Sequence, residues 1–202
     1  CDQSKHPVSF QPVLGDIRDK TLPHRVFASF QPDVVFHAAA YKHVPMQEEH
    51  PWEAILTNIQ GTLNLIDASE DYGVNRFVLV STDKAVNPTN IMGATKRVAE
   101  KLIQSKAIDS KVKYMAVRFG NVIGSSGSVI PTFQEQIRNG GPITITDPKM
   151  QRYFMSISEA AQLILQAGAM GAGGEIYVLD MGKPVNIKDI AFELIRLSGL
   201  EP

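Results

Sequence analysis

Hydrophobic residues along this chain follow two spacings, which alternate from one segment to the next. Short, nearly continuous apolar runs predict buried strands, and apolar residues three or four positions apart predict helices that bury one face. The runs that predict strands cover residues 8–14, 33–37, 76–80, 113–119 and 175–179, with shorter candidates at 143–146 and 153–155. The segments that predict helices cover residues 19–30, 52–72, 90–105, 129–138, 156–170 and 186–197. A polar stretch at residues 38–50 predicts a long loop.

The alternation of strands and helices predicts an α/β fold with a doubly wound, Rossmann-like parallel sheet. Strands in such a sheet are almost entirely apolar because helices cover both of its faces. The pattern of apolar residues changes after Gly120, and the small residues at 124–128 predict a loop. We therefore expect residues 1–122 to form the main, partial core of the fold. Residues 123–202 are expected to supply the remaining strands and part of a smaller region.

Capping residues mark three of the predicted helix starts. Asn90 and Asn186 stand directly before helices, where an amide oxygen accepts a free backbone N–H. Ser156 and Glu159 have the spacing of a capping box, in which each side chain bonds the backbone of the other residue. We interpret these residues as structural.

Composition and charge narrow the classes of function. The 20 basic and 21 acidic residues give a net charge of -1, which favours neither nucleic acid nor a membrane surface as a partner. The single cysteine, Cys1, and five scattered histidines form no recognisable metal pattern. The sequence contains no apolar stretch of about 18 residues and no signal peptide, so we expect a cytoplasmic domain. Because it starts without Met, in a turn-like stretch, we expect a fragment of a longer protein.

Candidate chemistry lies at the carboxyl ends of the predicted strands, where open parallel sheets bind their ligands. These positions are residues 15–17, 38–40, 81–84 and 120–122, and most are small or polar. Among them, Asp83 and Lys84 place a carboxyl group beside an amine directly after an apolar run. Such a pair can serve as acid and base, or it can be a structural ion pair. Lys96, on the helix that follows, is close enough in sequence to face the same cleft.

Two further strand-end features leave both a functional and a structural interpretation open. Ala38, Ala39 and Ala40 give the backbone close access to a ligand such as a pyrophosphate, or they only allow tight packing under a helix. Lys42, in the predicted long loop, is a candidate binding residue.

Four segments closely resemble the UDP-N-acetylglucosamine 4,6-dehydratases, the polysaccharide-biosynthesis branch of the extended short-chain dehydrogenases. They are HAAAYKHVP at 37–45, STDKAVNPTN at 81–90, GATK at 93–96 and RFGNV at 118–122. The resemblance runs from about residue 15 to residue 199, and its long motifs are specific to this branch. It implies NAD or NADP as a bound cofactor that is regenerated in each turnover, and a UDP-sugar as substrate.

The sequence departs from the pattern of these enzymes in three ways. The glycine-rich phosphate loop and the last part of the substrate domain are absent from the sequence, so the first βα unit is missing. The tyrosine of the Tyr-x-x-x-Lys motif is replaced by Met92, four residues before Lys96. A thioether cannot act as an acid or a base, so another group must take the proton of the sugar C4 hydroxyl. By resemblance, this replacement marks the larger, membrane-anchored members, whose parent protein lies at the inner bacterial membrane.

The resemblance also implies roles for individual residues. Asp83 protonates the departing C6 hydroxyl, Lys84 removes the C5 proton, and Thr82 holds the C4 oxygen. The implied catalytic set is Thr82, Asp83, Lys84, Lys96 and the substituted Met92. The implied cofactor-binding residues are Asp16, Ile17, Ala38, Ala39, Ala40, Asn58, Ser81, Lys96, Gly120, Asn121 and Val122. The implied substrate-binding residues are Lys42, Thr82, Asn121, Ser128, Val129 and Arg152, with an Arg fork suited to the diphosphate.

Two other functions stay open at this stage. A nucleotide-sugar 4-epimerase shares the fold, but such enzymes usually keep the tyrosine, and the adjacent Asp83 and Lys84 favour dehydration. A non-catalytic NAD(P)-binding module is compatible with Met92, whereas the retained Asp83, Lys84 and Lys96 argue against it. Arg152 is also compatible with a plain surface role on an edge strand. We expect a homo-oligomer, and the choice between NAD and NADP is left open.

Overall fold

The computed structural model describes residues 9–125 and 128–201. The strands are β1 (Val34–His37), β2 (Arg76–Val80), β3 (Lys113–Arg118), β4 (Asn121–Val122), β5 (Gln151–Arg152), β6 (Phe154–Met155), β7 (Ile176–Val178) and β8 (Val185–Asn186). The α-helices are α1 (Thr21–Phe30), α2 (Val44–Glu49), α3 (Pro51–Ile55), α4 (Gly61–Asp71), α5 (Ile91–Lys106), α6 (Val129–Arg138), α7 (Ile157–Met170) and α8 (Ile187–Leu197). A π-helical turn (Leu56–Gln60) joins α3 to α4, and a 3₁₀ turn (Asp83–Ala85) follows β2.

The predicted doubly wound parallel sheet is confirmed. Four strands pair in the order β1-β2-β3-β7, and all three pairings are parallel. Alternate residues of the strands serve opposite faces: Phe77 and Tyr114 pack in one apolar cluster with residues of α4 and α5, while Val78 and Met115 pack against α7. Because both faces are covered, the strands show the continuous apolar runs from which they were predicted.

A smaller apolar cluster lies outside the main sheet. Phe133 of α6 packs with Ile187 and Ala191 of α8. Two short pairings surround this region, β4 with β6 in parallel and β5 with β8 antiparallel. The structure does not test a domain boundary at residues 122 and 123, so that division stays a prediction.

Two predicted strands are wrong. Residues 9–14 form no strand, and the side chains of Phe10 and Leu14 are 82% and 100% exposed, with no described apolar surface to bury them. Val8 lies outside the described residues. Residues 143–146 are also not a strand: Ile143 and Ile145 pack in the α6–α8 cluster, and the backbone N–H of Thr144 bonds the side chain of Gln136 instead of a strand. Apolar and polar residues alternate at 143–146 because one side of this segment is buried, and not because the segment pairs with a strand.

The helical segments differ in detail from the prediction. The predicted loop at 38–50 contains α2, which begins with Val44 and Pro45, where a proline suits the first turn. The predicted helix at 52–72 is divided by the π-helical turn. The capping box of Ser156 and Glu159 and the caps at Asn90 and Asn186 are present as predicted. The loop at 124–128 includes residues 126–127, which lie outside the described part of the chain.

Candidate active site

The chain continues side by side after β2 and β3, which brings two predicted segments together. The backbone N–H of Ser81 donates to the carbonyl of Val117 (2.8 Å), and that of Asp83 donates to the carbonyl of Phe119 (3.1 Å). Residues 81–84 therefore lie beside residues 119–122. This is the arrangement that the strand-end rule predicts for a parallel sheet.

Asp83 and Lys84 form a partly exposed ion pair. Nζ of Lys84 lies 3.0 Å from Oδ1 of Asp83, and the hydroxyl of Thr82 donates to the same oxygen at 2.9 Å. The side chains of Asp83 and Lys84 are 44% and 32% exposed. An ion pair this open to solvent contributes little stability. A contribution to stability therefore does not explain why Asp83 and Lys84 form this pair.

A cavity of about 360 Å³ opens beside this pair. Its walls include Asp83, Gly120, Tyr153 and Met181, from four different segments. The backbone N–H of Gly120 donates to Sδ of Met181 at 2.9 Å, which holds the loop after β7 against the site. A Cβ on Gly120 would approach Met181, the carbonyl of Tyr153 and Asp83 to 3.3–3.5 Å, so this wall has little room for a side chain.

Helix α5 approaches the site through a glycine. A Cβ on Gly93 would collide with the backbone carbonyl of Lys84, so only glycine permits this contact without a shift. The contact places the first turns of α5 beside the 3₁₀ turn. Met92, at the substituted tyrosine position, is buried, with 5% of its surface exposed.

Lys96 lies buried beneath the end of β2. Its Nζ donates to the carbonyl of Val80 at 2.9 Å, next to the residues that follow this strand. Burial lowers the pKa of Lys96 to about 8, and the nearby charge of Glu100 opposes that shift. The amine is therefore charged at neutral pH and close to the range in which it loses its proton.

Glu100 and Arg118, to which the sequence assigned no role, form a buried cluster at this place. Glu100 is fully buried and accepts two hydrogen bonds from Arg118, at 2.7 and 2.6 Å. It also accepts one from the hydroxyl of Ser81 at 2.6 Å and one from Arg97 at 3.2 Å. A glutamate one helical turn after Lys96, on the same face of α5 as the apolar Ala99 and Ile103, was the signal that could have revealed it.

The candidate cofactor residues after β1 lie in an open stretch. Ala38 and Ala39 are exposed and Ala40 is half-buried, so their small side chains leave the end of β1 accessible. Asn58, in the π-helical turn, is buried and bonds both the N–H and the carbonyl of Tyr41, at 2.8 and 3.0 Å. In this structure Asn58 anchors the loop at 38–43, and it holds that loop against Thr95 of α5 by a third bond of 3.0 Å.

Of the remaining predicted cofactor residues, Asp16 and Ile17 lie in the segment before α1, and Asn121 and Val122 lie beside residues 81–84. Asp16 is exposed and forms a close ion pair with Arg18, and hydrogen bonds from Arg18 lower the pKa of the Asp16 carboxyl. The side chain of Ile17 lies where a Cβ on Gly61 of α4 would collide with it. Asn121 and Val122 form β4 beside Gly120.

The predicted substrate residues are less closely gathered. Lys42 is exposed in the loop after β1. Arg152 lies on β5, next to the cavity residue Tyr153, and donates to the carbonyl of Gln151 at 2.8 Å. Ser128 precedes Val129 at the start of α6, and its buried hydroxyl has no hydrogen-bond partner among residues 9–125 and 128–201. The binding roles of all these residues stay predictions.

A family of proteins described as polysaccharide biosynthesis proteins matches residues 1–202, the whole chain. The chain belongs to this family. One relative in the comparison is the capsular polysaccharide biosynthesis protein CapD of Staphylococcus aureus, 58% identical over 193 residues, which are 95% of this chain and 32% of that protein. A UDP-N-acetylglucosamine 4,6-dehydratase (inverting) of Campylobacter jejuni is 40% identical over 186 residues, covering 90% of this chain and 54% of that enzyme.

Other similar proteins carry a different activity in their names. A UDP-glucose 4-epimerase of Rickettsia canadensis is 43% identical over 169 residues, covering 82% of this chain and 49% of that enzyme. Among solved structures, Pen from Bacillus thuringiensis superposes with a TM-score of 0.87 at 41% identity, over 94% of this chain and 59% of that one. This family member therefore has the fold of extended short-chain dehydrogenases. The chain spans between a third and about half the length of the curated relatives it matches.

None of the helices in residues 9–125 and 128–201 combines the length and apolar character that crossing a membrane requires.

Proposed function

We propose that this chain carries the catalytic core of a nucleotide-sugar 4,6-dehydratase that converts UDP-N-acetylglucosamine to a UDP-4-keto-6-deoxy amino sugar for surface polysaccharide. The observation that carries the proposal is the Asp83–Lys84 pair, with Thr82 bonded to it, at the rim of the cavity beside Gly120. The similarity to a Campylobacter jejuni enzyme of this activity supports it.

The site residues fit a dinucleotide cofactor. The open end of β1 at Ala38 and Ala39 has no large side chain, and the wall at Gly120 has little room for one. Lys96 lies charged beneath the end of β2, where it suits a ribose hydroxyl. When bound, NAD or NADP would supply a hydride acceptor for sugar C4 and, once reduced, a hydride donor for C6. Asp16, Ile17 and Asn121 are proposed to complete its site.

The ion pair can interconvert into the two groups that elimination requires. Moving one proton along the 3.0 Å bond from Lys84 to Asp83 yields a neutral amine and a neutral carboxylic acid. The amine of Lys84 then removes the C5 proton, and the acid of Asp83 protonates the C6 hydroxyl as it leaves as water. The water takes its second proton from Asp83 and the C5 proton stays on Lys84, so the pair returns to its charged form and the net change is the loss of one water.

Thr82 and Met92 are relevant to the first step, in which the sugar C4 hydroxyl loses its proton. The hydroxyl of Thr82 is proposed to hold the C4 oxygen while its proton is lost. Met92 is buried and its thioether cannot accept this proton, so a group other than residue 92 must take it.

One alternative has specific support, and a second stays open. The Rickettsia canadensis relative is named as a UDP-glucose 4-epimerase, so C4 inversion with no loss of water is a second candidate. A non-catalytic NAD(P)-binding module is the third, and it would leave the Asp83–Lys84 pair without a chemical task. The membrane-anchored, homo-oligomeric parent protein remains a further hypothesis, which membrane fractionation and light scattering of the full-length protein would test.

The deciding experiment follows the full-length protein with UDP-N-acetylglucosamine in deuterated water by proton NMR. A new C6 methyl signal with deuterium at C5 is the expected result. A sugar inverted at C4 would transfer the assignment to the epimerase. An unchanged sugar, with cofactor bound, would favour the non-catalytic module.

A further inference from the structure

The carboxylate of Glu100 is the centre of a buried cluster that the proposed chemistry does not use. It is completely shielded from solvent and accepts hydrogen bonds from three side chains, those of Ser81, Arg97 and Arg118. Burial alone would raise the pKa of Glu100, but the bonds from Arg118, Ser81 and Arg97 outweigh burial and hold that pKa below its usual value. The carboxylate is therefore ionised in the folded protein.

The partners of this carboxylate lie at the two strand ends that carry the site. Ser81 is the residue directly before Thr82, and Arg118 ends β3 two residues before Gly120. Glu100 itself stands one helical turn after Lys96 on α5, and Lys96 bonds the carbonyl of Val80. One carboxylate thus joins the end of β2, the end of β3 and the helix that presents Lys96.

We propose that Glu100 is a positioning residue, which fixes the ends of β2 and β3 against α5 and so sets the geometry of Thr82, Asp83 and Lys84 and the charge of Lys96. The inference rests on the proposed dehydratase function, which it deepens. A buried ion pair is a weak source of stability, because desolvation offsets its attraction and apolar residues can replace it at little cost. Stability alone is therefore a weak reason to bury Glu100.

Glu100 is also the opposing charge for Lys96. Burial lowers the pKa of Lys96, and the negative charge of Glu100 raises it again. The other charged groups on α5 are Arg97, Lys101 and Lys106. The charged or titratable groups on the segments near α5 are His37 at the end of β1, Glu48 and Glu49 on α2, Glu53 on α3, Asp67, Glu70 and Asp71 on α4, Asp83 and Lys84 on the 3₁₀ turn, and Lys113, Tyr114 and Arg118 on β3. The positive charge of Lys96 helps to lower the pKa of His37. The cations Arg97 and Arg118 already form ion pairs with Glu100.

The test compares Glu100→Gln with Glu70→Gln in the full-length protein. Glutamine keeps the volume of glutamate and removes its charge. Glu70 is the matched control because it also accepts hydrogen bonds from a serine, Ser110 (2.6 Å), and from a second side chain, Tyr114 (2.8 Å), but away from the strand ends of the site. Both substitutions are expected to lower the melting temperature.

Only Glu100→Gln is expected to change the chemistry. Its kcat should fall on the order of tenfold to hundredfold, because the reacting groups are displaced while substrate binding is preserved. The alkaline limb of its pH profile should move to lower pH by about one unit, since Lys96 loses an opposing charge. The same shift should appear in the pH dependence of Lys96 acetylation by trace acetic anhydride, measured by mass spectrometry without cofactor or substrate.

These readouts separate the inference from the proposed function. A wild-type protein that forms no keto sugar would defeat the proposed function, while Lys96 acetylation would still decide the role of Glu100. An unchanged alkaline limb and acetylation profile in a folded Glu100→Gln would overturn the inference. If that variant does not fold, Glu100→Asp keeps the charge on a shorter side chain, and it should show the wild-type Lys96 profile with a reduced kcat. Wild-type kcat in Glu100→Asp would overturn the positioning role.

Discussion

Gly93 lies so close to the backbone carbonyl of Lys84 that a side chain at residue 93 would collide with it. This contact joins the first turn of α5 to the 3₁₀ turn that carries Asp83 and Lys84. The distance between the ion pair and the helix that bears Lys96 therefore depends on a missing Cβ. The geometry of the proposed site depends on this close contact as well as on the reactive side chains.

We predict that Gly93→Ala destabilises the protein by about 1–3 kcal/mol, because the added methyl group meets backbone and not a flexible side chain. Turnover should fall as well, since the 3₁₀ turn is displaced. Urea unfolding and steady-state assays measure the two effects. The neighbouring Ala94→Gly creates no collision and should cost about 1 kcal/mol through helix propensity alone. Equal effects of both variants would show that the turn yields easily to α5.

Asp83→Asn is expected to lower kcat on the order of a hundredfold or more, because an amide cannot donate a proton as a general acid. Folding should be unaffected, since the Asp83 side chain is 44% exposed. Assays of keto-sugar formation and a thermal melt test both statements. Asp189→Asn, at an exposed position on α8, serves as the control. Full activity in Asp83→Asn would show that another group protonates the C6 hydroxyl.

The charge of Lys96 predicts an alkaline limb in the activity profile. Burial lowers the pKa of Lys96 to about 8, so the protonated form, which the cofactor role needs, is lost as pH rises through that value. Activity should therefore decline above about pH 8. In Lys96→Arg the side chain stays charged, so that variant should be less active but should lack this limb. A limb at the same pH in Lys96→Arg would assign it to another group.

His37 predicts a loss of stability in acid. Its ring is buried and bonds the hydroxyl of Thr62 at 2.8 Å, and burial, with a smaller effect of Lys96, lowers the pKa of His37 to about 3. In the unfolded chain His37 takes up a proton near its usual pKa of 6.5, and in the folded chain only near pH 3. The free energy of unfolding should therefore fall as pH drops from 6.5 toward 3, by a few kcal/mol at most from this residue.

Urea unfolding of wild type and His37→Asn across this pH range measures the effect. The variant is expected to be less stable at pH 7 but to lose less of its remaining stability in acid. Parallel curves for the two proteins would show that His37 does not control acid unfolding.

The sequence predicted the main sheet well because its signals are local. The runs at 76–80 and 113–119 need only helices on both faces to explain them, and β2 and β3 lie there. Caps such as Asn90 are equally local, since a side chain bonds the backbone three residues away. Segments without such a signal were misjudged: the alternation at 143–146 reflects packing against α6 and α8, and the run at 9–14 has no described surface on which to pack.

The motifs at 81–84 and 93–96 determined which residues are candidates, because their types limit the chemistry to one carboxyl group and two amines, those of Asp83, Lys84 and Lys96. The position of Lys96 under Val80 was decided by the tertiary structure, as were the Asn58 anchor of the 38–43 loop and the cluster around Glu100. Each of these joins residues 16 to 19 positions apart in sequence. Hydrogen bonds over such separations form only when the strands are paired and α5 is packed against them, so no local pattern in the chain contains them.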